Sequence, residues 1–191
     1  MTLLPGTRVH AKLLNLVVGI PLGAPVAADD NRIVTSADIA DVVYTIAANV
    51  DTPRNLTVTL TDADDSVTAG TLVITGLDMM GRTIQESFDL TSGSGVLTGT
   101  KIFAKVTSVE GSLVAGAVTI DDVLIVGVGT VIGLPIDAGA AFTTDDVQPF
   151  LGNVPVTVDA VATGESTTGF DCSTATYNGT KLLWALYNVG H

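Results

Sequence analysis

The chain is poor in the residues that carry out chemistry. Its 191 residues include one cysteine, Cys172, and two histidines, His10 and His191. A lone thiol closes no intramolecular disulfide, so the fold is not a disulfide scaffold, and assembly inside a cell is expected. A Ser-His-Asp or Cys-His site needs an imidazole beside its nucleophile and a third group to orient it. With both histidines near the termini, no catalytic residue is expected. Aromatic residues are 5% of the chain, few for stacking sugar rings, which weakens a carbohydrate-binding reading. Eight Lys and Arg against 20 Asp and Glu give a formal charge of −12. That field repels phosphate backbones, so no nucleic-acid partner is expected. No apolar run approaches the roughly 20 residues of a membrane span. The segment "LLNLVVGIPLGAPVAADD" follows Arg8 and Lys12 and resembles a secretory leader, but Asn15 and Pro21 interrupt it, so it is read as part of a soluble chain.

What is present is β-forming. Hydrophobic residues make up 47% and charged ones 15%, a balance that supports a buried core. Val and Thr dominate, glycine occurs 20 times, and long stretches at helical spacing are missing. β-Branched side chains suit a pleated, half-buried surface, so the expected class is all-β.

From Pro53 the pattern is clear. In "RNLTVTLTD", Leu56, Val58 and Leu60 alternate with Thr57, Thr59 and Thr61, which puts aliphatics on one face and hydroxyls on the other. "DADDSVTAG" follows as a polar loop. "TLVITGLDMMGRTIQESFDL", Thr71 to Leu90, reads as a hairpin turning at Asp78-Met79-Met80-Gly81. Leu72 and Ile74 face inward on its first strand, Ile84, Phe88 and Leu90 on its second. Glu86 shares that second face, so burial is expected to be incomplete there. Met79-Met80 is an exposed tip or a contact point with a neighbour, the contact being preferred. "TSGSGVLTGT" is a flexible loop, and "KIFAKVTSVE" and "AVTIDDVLIVGVG" supply two or three further strands. Strands recurring about every 10 to 15 residues between turns indicate an antiparallel β-sandwich, immunoglobulin-like, over residues 51–129.

The ends are less regular. Residues 1–50 read as an N-terminal arm with short strands. Within it Ser36 could cap a short helix over "ADIADVVYTI", while Val42 to Ile46 reads equally as a strand. "GIPLGAPVAADD" (Gly19 to Asp30) and "GLPIDAGAAFTTDD" (Gly133 to Asp146) share a Gly-aliphatic-Pro-aliphatic opening and a closing Asp-Asp. This is a weak repeat or a coincidence; as a repeat, it would let residues 130–191, an additional C-terminal β segment, pack with the arm. "VPVTVDAVAT" reads as a strand, "YNGT" (Tyr177 to Thr180) as a turn, and "KLLWALYNV" as a final strand carrying Trp184 and Tyr187.

Carboxylates are the only plentiful reactive groups. Asp-Asp pairs stand at Asp29-Asp30, Asp64-Asp65, Asp121-Asp122 and Asp145-Asp146. On a strand such neighbours point to opposite faces and do not converge. Asp62, Asp64 and Asp65 lie in a loop and could offer oxygen to a hard cation, but EF-hand spacing is missing and a solvated turn is the better reading. No metal or cofactor is expected. "TSGSG" and "VGVGTVIG" lack the context of a phosphate cradle. The N-glycosylation patterns at Asn55 and Asn178 are given no weight.

The segment "PRNLTVTLTDADDSVTAGTLVITGLDMMGRTIQESFDLTSGSGVLTGTKIFAKVTSVE", Pro53 to Glu110, resembles structural proteins of tailed-bacteriophage virions, and "GLPI" with "YNGTKLLWALYNVG" is similar to their closing segments. The resemblance implies a sandwich protein on the virion, first a capsid decoration (cement) protein that binds the outer head surface. Its implied partners are the major capsid protein and copies of itself, as a homotrimer, after synthesis in the host cytoplasm. Other virion components (tail tube, neck, head fibre, baseplate) and a host-surface or carbohydrate-binding module are the alternatives. The family carries no enzymatic motif, so no site residue is inherited.

Overall fold

Thirteen strands in the computed structural model, which describes residues 17–116, 119, 121–137, 147–157, 160–163, 167–171 and 176–188, follow one another in the order β1 (Val17–Gly23), β2 (Asp29–Asp38), β3 (Arg54–Thr61), β4 (Val67–Leu77), β5 (Thr83–Asp89), β6 (Gly95–Thr98), β7 (Lys105–Gly116), β8 (Val123–Asp137), β9 (Val147–Leu151), β10 (Val154–Pro155), β11 (Ala160–Thr163), β12 (Thr167–Asp171) and β13 (Leu183–Asn188). Among the described residues there is no helix, and every strand pairing is antiparallel. The protein is all-β, with sheets stacked as in a β-sandwich.

The alternation in β3 sets one wall. Leu56, Val58 and Leu60 are buried while Thr57 and Thr59 stay partly in water. β3 lies between β8, with Val58 opposite Val126, and β6, with Val58 opposite Leu97. β2 pairs with the other edge of β8, and β12 and β11 continue the sheet beyond it. The opposing sheet has the order β5-β4-β7. Between the two, Ile33, Leu56, Val58, Leu72, Ile74, Phe88, Val109 and Val126 form one continuous core. Apolar burial on this pattern is the main force holding the sheets together.

Several sequence expectations take more definite form. The hairpin is β4–β5, with Leu72 opposite Phe88 and Ile74 opposite Glu86. Its turn carries Gly81 at φ 76°, a backbone setting that suits glycine. Ser36 starts no helix and sits within β2. Ile33 and Val34 are adjacent and both buried, which strict alternation forbids; register shifts between Asp29, Val34 and Ala37 turn both inward. The "KIFAKVTSVE" strand begins at Lys105, with Ile102 and Phe103 buried in the approach to it. "VPVTVDAVAT" is not one strand: β10 ends at Pro155 and β11 starts at Ala160.

Residues 39–49 form a strap along the outer edge of β7. Tyr44 N–H donates to Val109 O (2.8 Å), Gly111 N–H to Val42 O (2.9 Å), and Val114 N–H to Asp41 Oδ1 (2.7 Å). The Asn49 side chain serves both polar groups of Val106, at 2.8 Å each. An edge that would otherwise offer itself to another strand is thereby closed. Gly111 makes the approach possible, since a Cβ there would stand 2.2 Å from Ala40 O.

A second, smaller core lies under a four-stranded sheet of order β1-β13-β9-β10. Leu22, Leu183 and Ala185 from this sheet meet Ile132 and Leu134 of β8 and Phe170 of β12. The first and last strands of the described chain are direct neighbours, Val17 opposite Asn188. The proposed repeat is only partly visible, because residues 138–146 lie outside the described ones.

Candidate functional site

Three places gather polar or accessible groups. The first is a carboxylate cluster at one end of the sandwich. β3 and β8 pair with Thr61 opposite Val123, so the turn after β3 and the turn before β8 meet. Asp62, Asp64 and Asp122 each bring one carboxylate oxygen within 4.8 Å of the others. Asp62 and Asp122 are buried and Asp64 is exposed.

Hydrogen bonds already occupy the buried pair. Asp62 accepts from Ser66 N–H (2.9 Å) and Val67 N–H (3.2 Å). Asp122 accepts from Thr119 N–H (2.6 Å), the Thr119 hydroxyl (3.1 Å), Ala63 N–H (3.1 Å) and the Ser66 hydroxyl (3.4 Å). The Thr119 N–H bond, more than burial counteracts it, holds the Asp122 carboxyl below the usual carboxylate range, with Ala63, Thr119 and Ser66 adding to it. Three oxygens are about half of the six to eight a calcium ion takes. As built, the cluster ties two loops together through their own backbone. The solvated turn expected here holds for Asp64 and Asp65, not for Asp62.

The second place is an ion pair inside the molecule. Arg54 is fully buried, and its Nη1 donates to Asp51 Oδ1 and to Val26 O, both at 3.2 Å. Asp51 Oδ2 in turn accepts from Val26 N–H at 2.6 Å. Val26 bridges to Asn178, and Gly179 N–H donates to Pro25 O (2.9 Å). One pair therefore clasps the β1–β2 link, the start of β3 and the turn before β13. Burial lowers the Arg54 pKa from its ordinary value, and Asp51 offsets part of that. Sequence reading missed this clasp; an arginine two residues ahead of Leu56, in step with the apolar face of Leu56, Val58 and Leu60, was the available signal.

The third is the outer face of the small sheet. Register places Pro21 opposite Trp184, Trp184 opposite Phe150, and Phe150 opposite Pro155. The Trp184 and Phe150 rings stack with centroids 5.2 Å apart, inclined by 30°. Trp184 Nε1–H donates to Gly152 O at 2.9 Å, which fixes the indole although it is 36% exposed. A groove of about 390 Å³ beside it is lined by Gly19, Pro21, Gly152, Asn153, Leu182 and Trp184, with none of them ionisable.

Of the remaining candidates, Asp29 and Asp30 line a cleft of about 710 Å³ with Asn55, Thr57, Thr59 and Asp171. Asp29 Oδ1 accepts from Asn31 N–H at 3.2 Å. His10, Asp145-Asp146, Cys172 and His191 lie outside the described residues. Asn55 is buried, accepting from Val131 N–H and donating to Gly99 O, so it presents no acceptor for a glycan. Asn178 Oδ1 caps its own turn at Thr180 and Lys181. Met79 packs against the second core of its own chain, while Met80 is exposed. Glu86 closes its end of the sheet: its Oε1 accepts from Thr100 N–H (2.6 Å) and Lys101 N–H (3.2 Å).

Comparison with protein-family models, with curated proteins and with solved structures finds no match. The structure itself defines the class: an all-β protein of antiparallel sheets, stacked as in a sandwich and extended by a small sheet that joins its two ends.

Proposed function

We propose that the chain is a structural protein of a tailed-phage virion, of the decoration type, which binds the outer surface of the head and stabilises the shell. The reading rests on the likeness of Pro53 to Glu110 to such proteins, and one structural observation supports it. Asp62 and Asp122, the two buried carboxylates of the cluster, are engaged by backbone N–H groups of the two loops they join. Such an arrangement favours a stiff body that acts through contact area. A decoration protein stabilises by mass action, burying surface against capsid subunits that it binds only in the assembled state. The partners in this reading are the major capsid protein and further copies of the chain, as a homotrimer. No reaction is assigned.

An electron-microscopy reconstruction of the particle tests this directly. Density for the chain at many equivalent head positions is expected, and mild heat or denaturant should release it before the major capsid protein. Location on the tail, or a few copies per particle, would transfer it to another virion component. A binding module for host surfaces is the second reading, favoured by the fixed indole of Trp184. In that case the isolated chain should bind cells or glycans, and Trp184→Ala should abolish the binding.

A further inference from the structure

None of the strands of the four-stranded sheet pairs with a strand of the other two sheets, and this sheet closes over a core of its own. Residues 51–54 supply polar links across the seam. Asp51 Oδ2 accepts from Val26 N–H (2.6 Å), Arg54 Nη1 donates to Val26 O (3.2 Å), and the buried Thr52 hydroxyl donates to Leu22 O (2.7 Å). The clasp of Asp51 and Arg54 therefore stands where two bodies meet. Arg54 is fully buried there; among the described residues its one carboxylate partner is Asp51, and its Nε and Nη2 find no acceptor. A buried cation with idle donors depends heavily on its single counter-charge. One side of the seam is fixed: Arg54 and Phe103 exchange both backbone bonds at 3.0 Å, and Arg54 lies opposite Ile132 in the ladder. The other side is a link and a turn, joined where Val26 bridges to Asn178 and Gly179 N–H donates to Pro25 O.

We propose that the four-stranded sheet is a separately opening unit of the fold, and that the Asp51–Arg54 pair is the latch that keeps it shut. With both partners charged, the small sheet stays closed over Ile132, Leu134 and Phe170. With Asp51 neutral, Arg54 is left buried without a counter-charge. The least costly relief is to move the link and the small sheet aside, because β3 is held by its neighbours on both edges. That movement hydrates the guanidinium and its idle donors. The two cores share no residue, so the sandwich keeps its own packing when the second core opens. β1 and β13 are paired and open together. The latch thus sets whether the molecule presents the apolar end of β8 and β12 to its surroundings. The inference does not rest on the virion reading.

Hydrogen exchange of the full chain at neutral pH, followed by mass spectrometry, reads the opening strand by strand. β13 and β4 compare like with like, since β13 lies between β1 and β9, and β4 between β5 and β7. In the native chain the β13 amides should exchange about tenfold faster than those of β4. Asp51→Asn should speed β13 by about a hundredfold and leave β4 unchanged. Adding Arg54→Met to Asp51→Asn removes the stranded charge as well, and should slow β13 again by about tenfold or more. Equal exchange of β13 and β4 in the native chain would overturn the separate unit. The latch would be overturned if Asp51→Asn sped both strands alike, unfolded the whole chain, or sped neither. A double variant as fast in β13 as Asp51→Asn alone would overturn it too.

Discussion

Leu113 holds a backbone setting that suits its side chain poorly. It sits at φ 56°, a setting that the chain elsewhere gives to glycine and, once, to Asp65. The cause is a bulge: Ser112 pairs with Thr71 and Ala115 with Ala69, so Leu113 and Val114 together face Gly70. Left-handed backbone costs a non-glycine residue about 1–2 kcal/mol, and glycine gives back about 0.5–1 of that in chain entropy. Because Leu113 is 78% exposed, its removal sacrifices little packing. Leu113→Gly should therefore stabilise the chain by about 0.5–1 kcal/mol, a rise of roughly 2–3 °C in calorimetry. Asp122 gives a second expectation, in pH. Its folded pKa lies below the unfolded value, so its contribution is present above about pH 4 and fades as pH falls through the lower folded value. Asp122→Asn should melt lower at neutral pH and show a flatter decline on acidification. A parallel decline in both proteins would contradict the assignment.

Strands carry the same lesson about what a sequence displays. β3 was readable because one face is buried and one is wet, which prints a period of two into Leu56, Val58 and Leu60. β2 was not, because bulges break its period and two adjacent residues turn inward. The carboxylate cluster was hidden for another reason. Asp62 and Asp122 come from distant turns, and only the pairing of β3 with β8 brings them together. The clasp of Asp51 and Arg54 was equally invisible, since it grips the backbone of Val26, which no side-chain pattern records. Its energetic weight is open to measurement. Asp51→Ala leaves a buried cation without its carboxylate and should cost about 3–5 kcal/mol. Arg54→Met leaves Asp51 still bonded to Val26 N–H and should cost distinctly less in urea unfolding. Equal losses would mean that the charge pairing is not what the clasp depends on.

For the protein as one body, the class was legible and the assembly of its ends was not. Val and Thr content announced sheets, but not every strand: β6 lies within a stretch that reads as a flexible loop. The row of Pro21, Trp184, Phe150 and Pro155 draws on four strands scattered from one end of the chain to the other, so only register reveals it. In the sequence Trp184 reads only as part of a final strand.

The placement of β13 between β1 and β9 has a consequence for how the protein is made. During synthesis β1 emerges among the first strands, yet the strand that pairs with it is translated last among those described. β1 and β9 must both wait with open edges while the sandwich between them folds. A ribosome that stops short of Leu183 releases a chain whose sandwich strands are all present but whose small sheet has lost its centre. Such a fragment should be cut by proteases within residues 17–23 and 147–155 first.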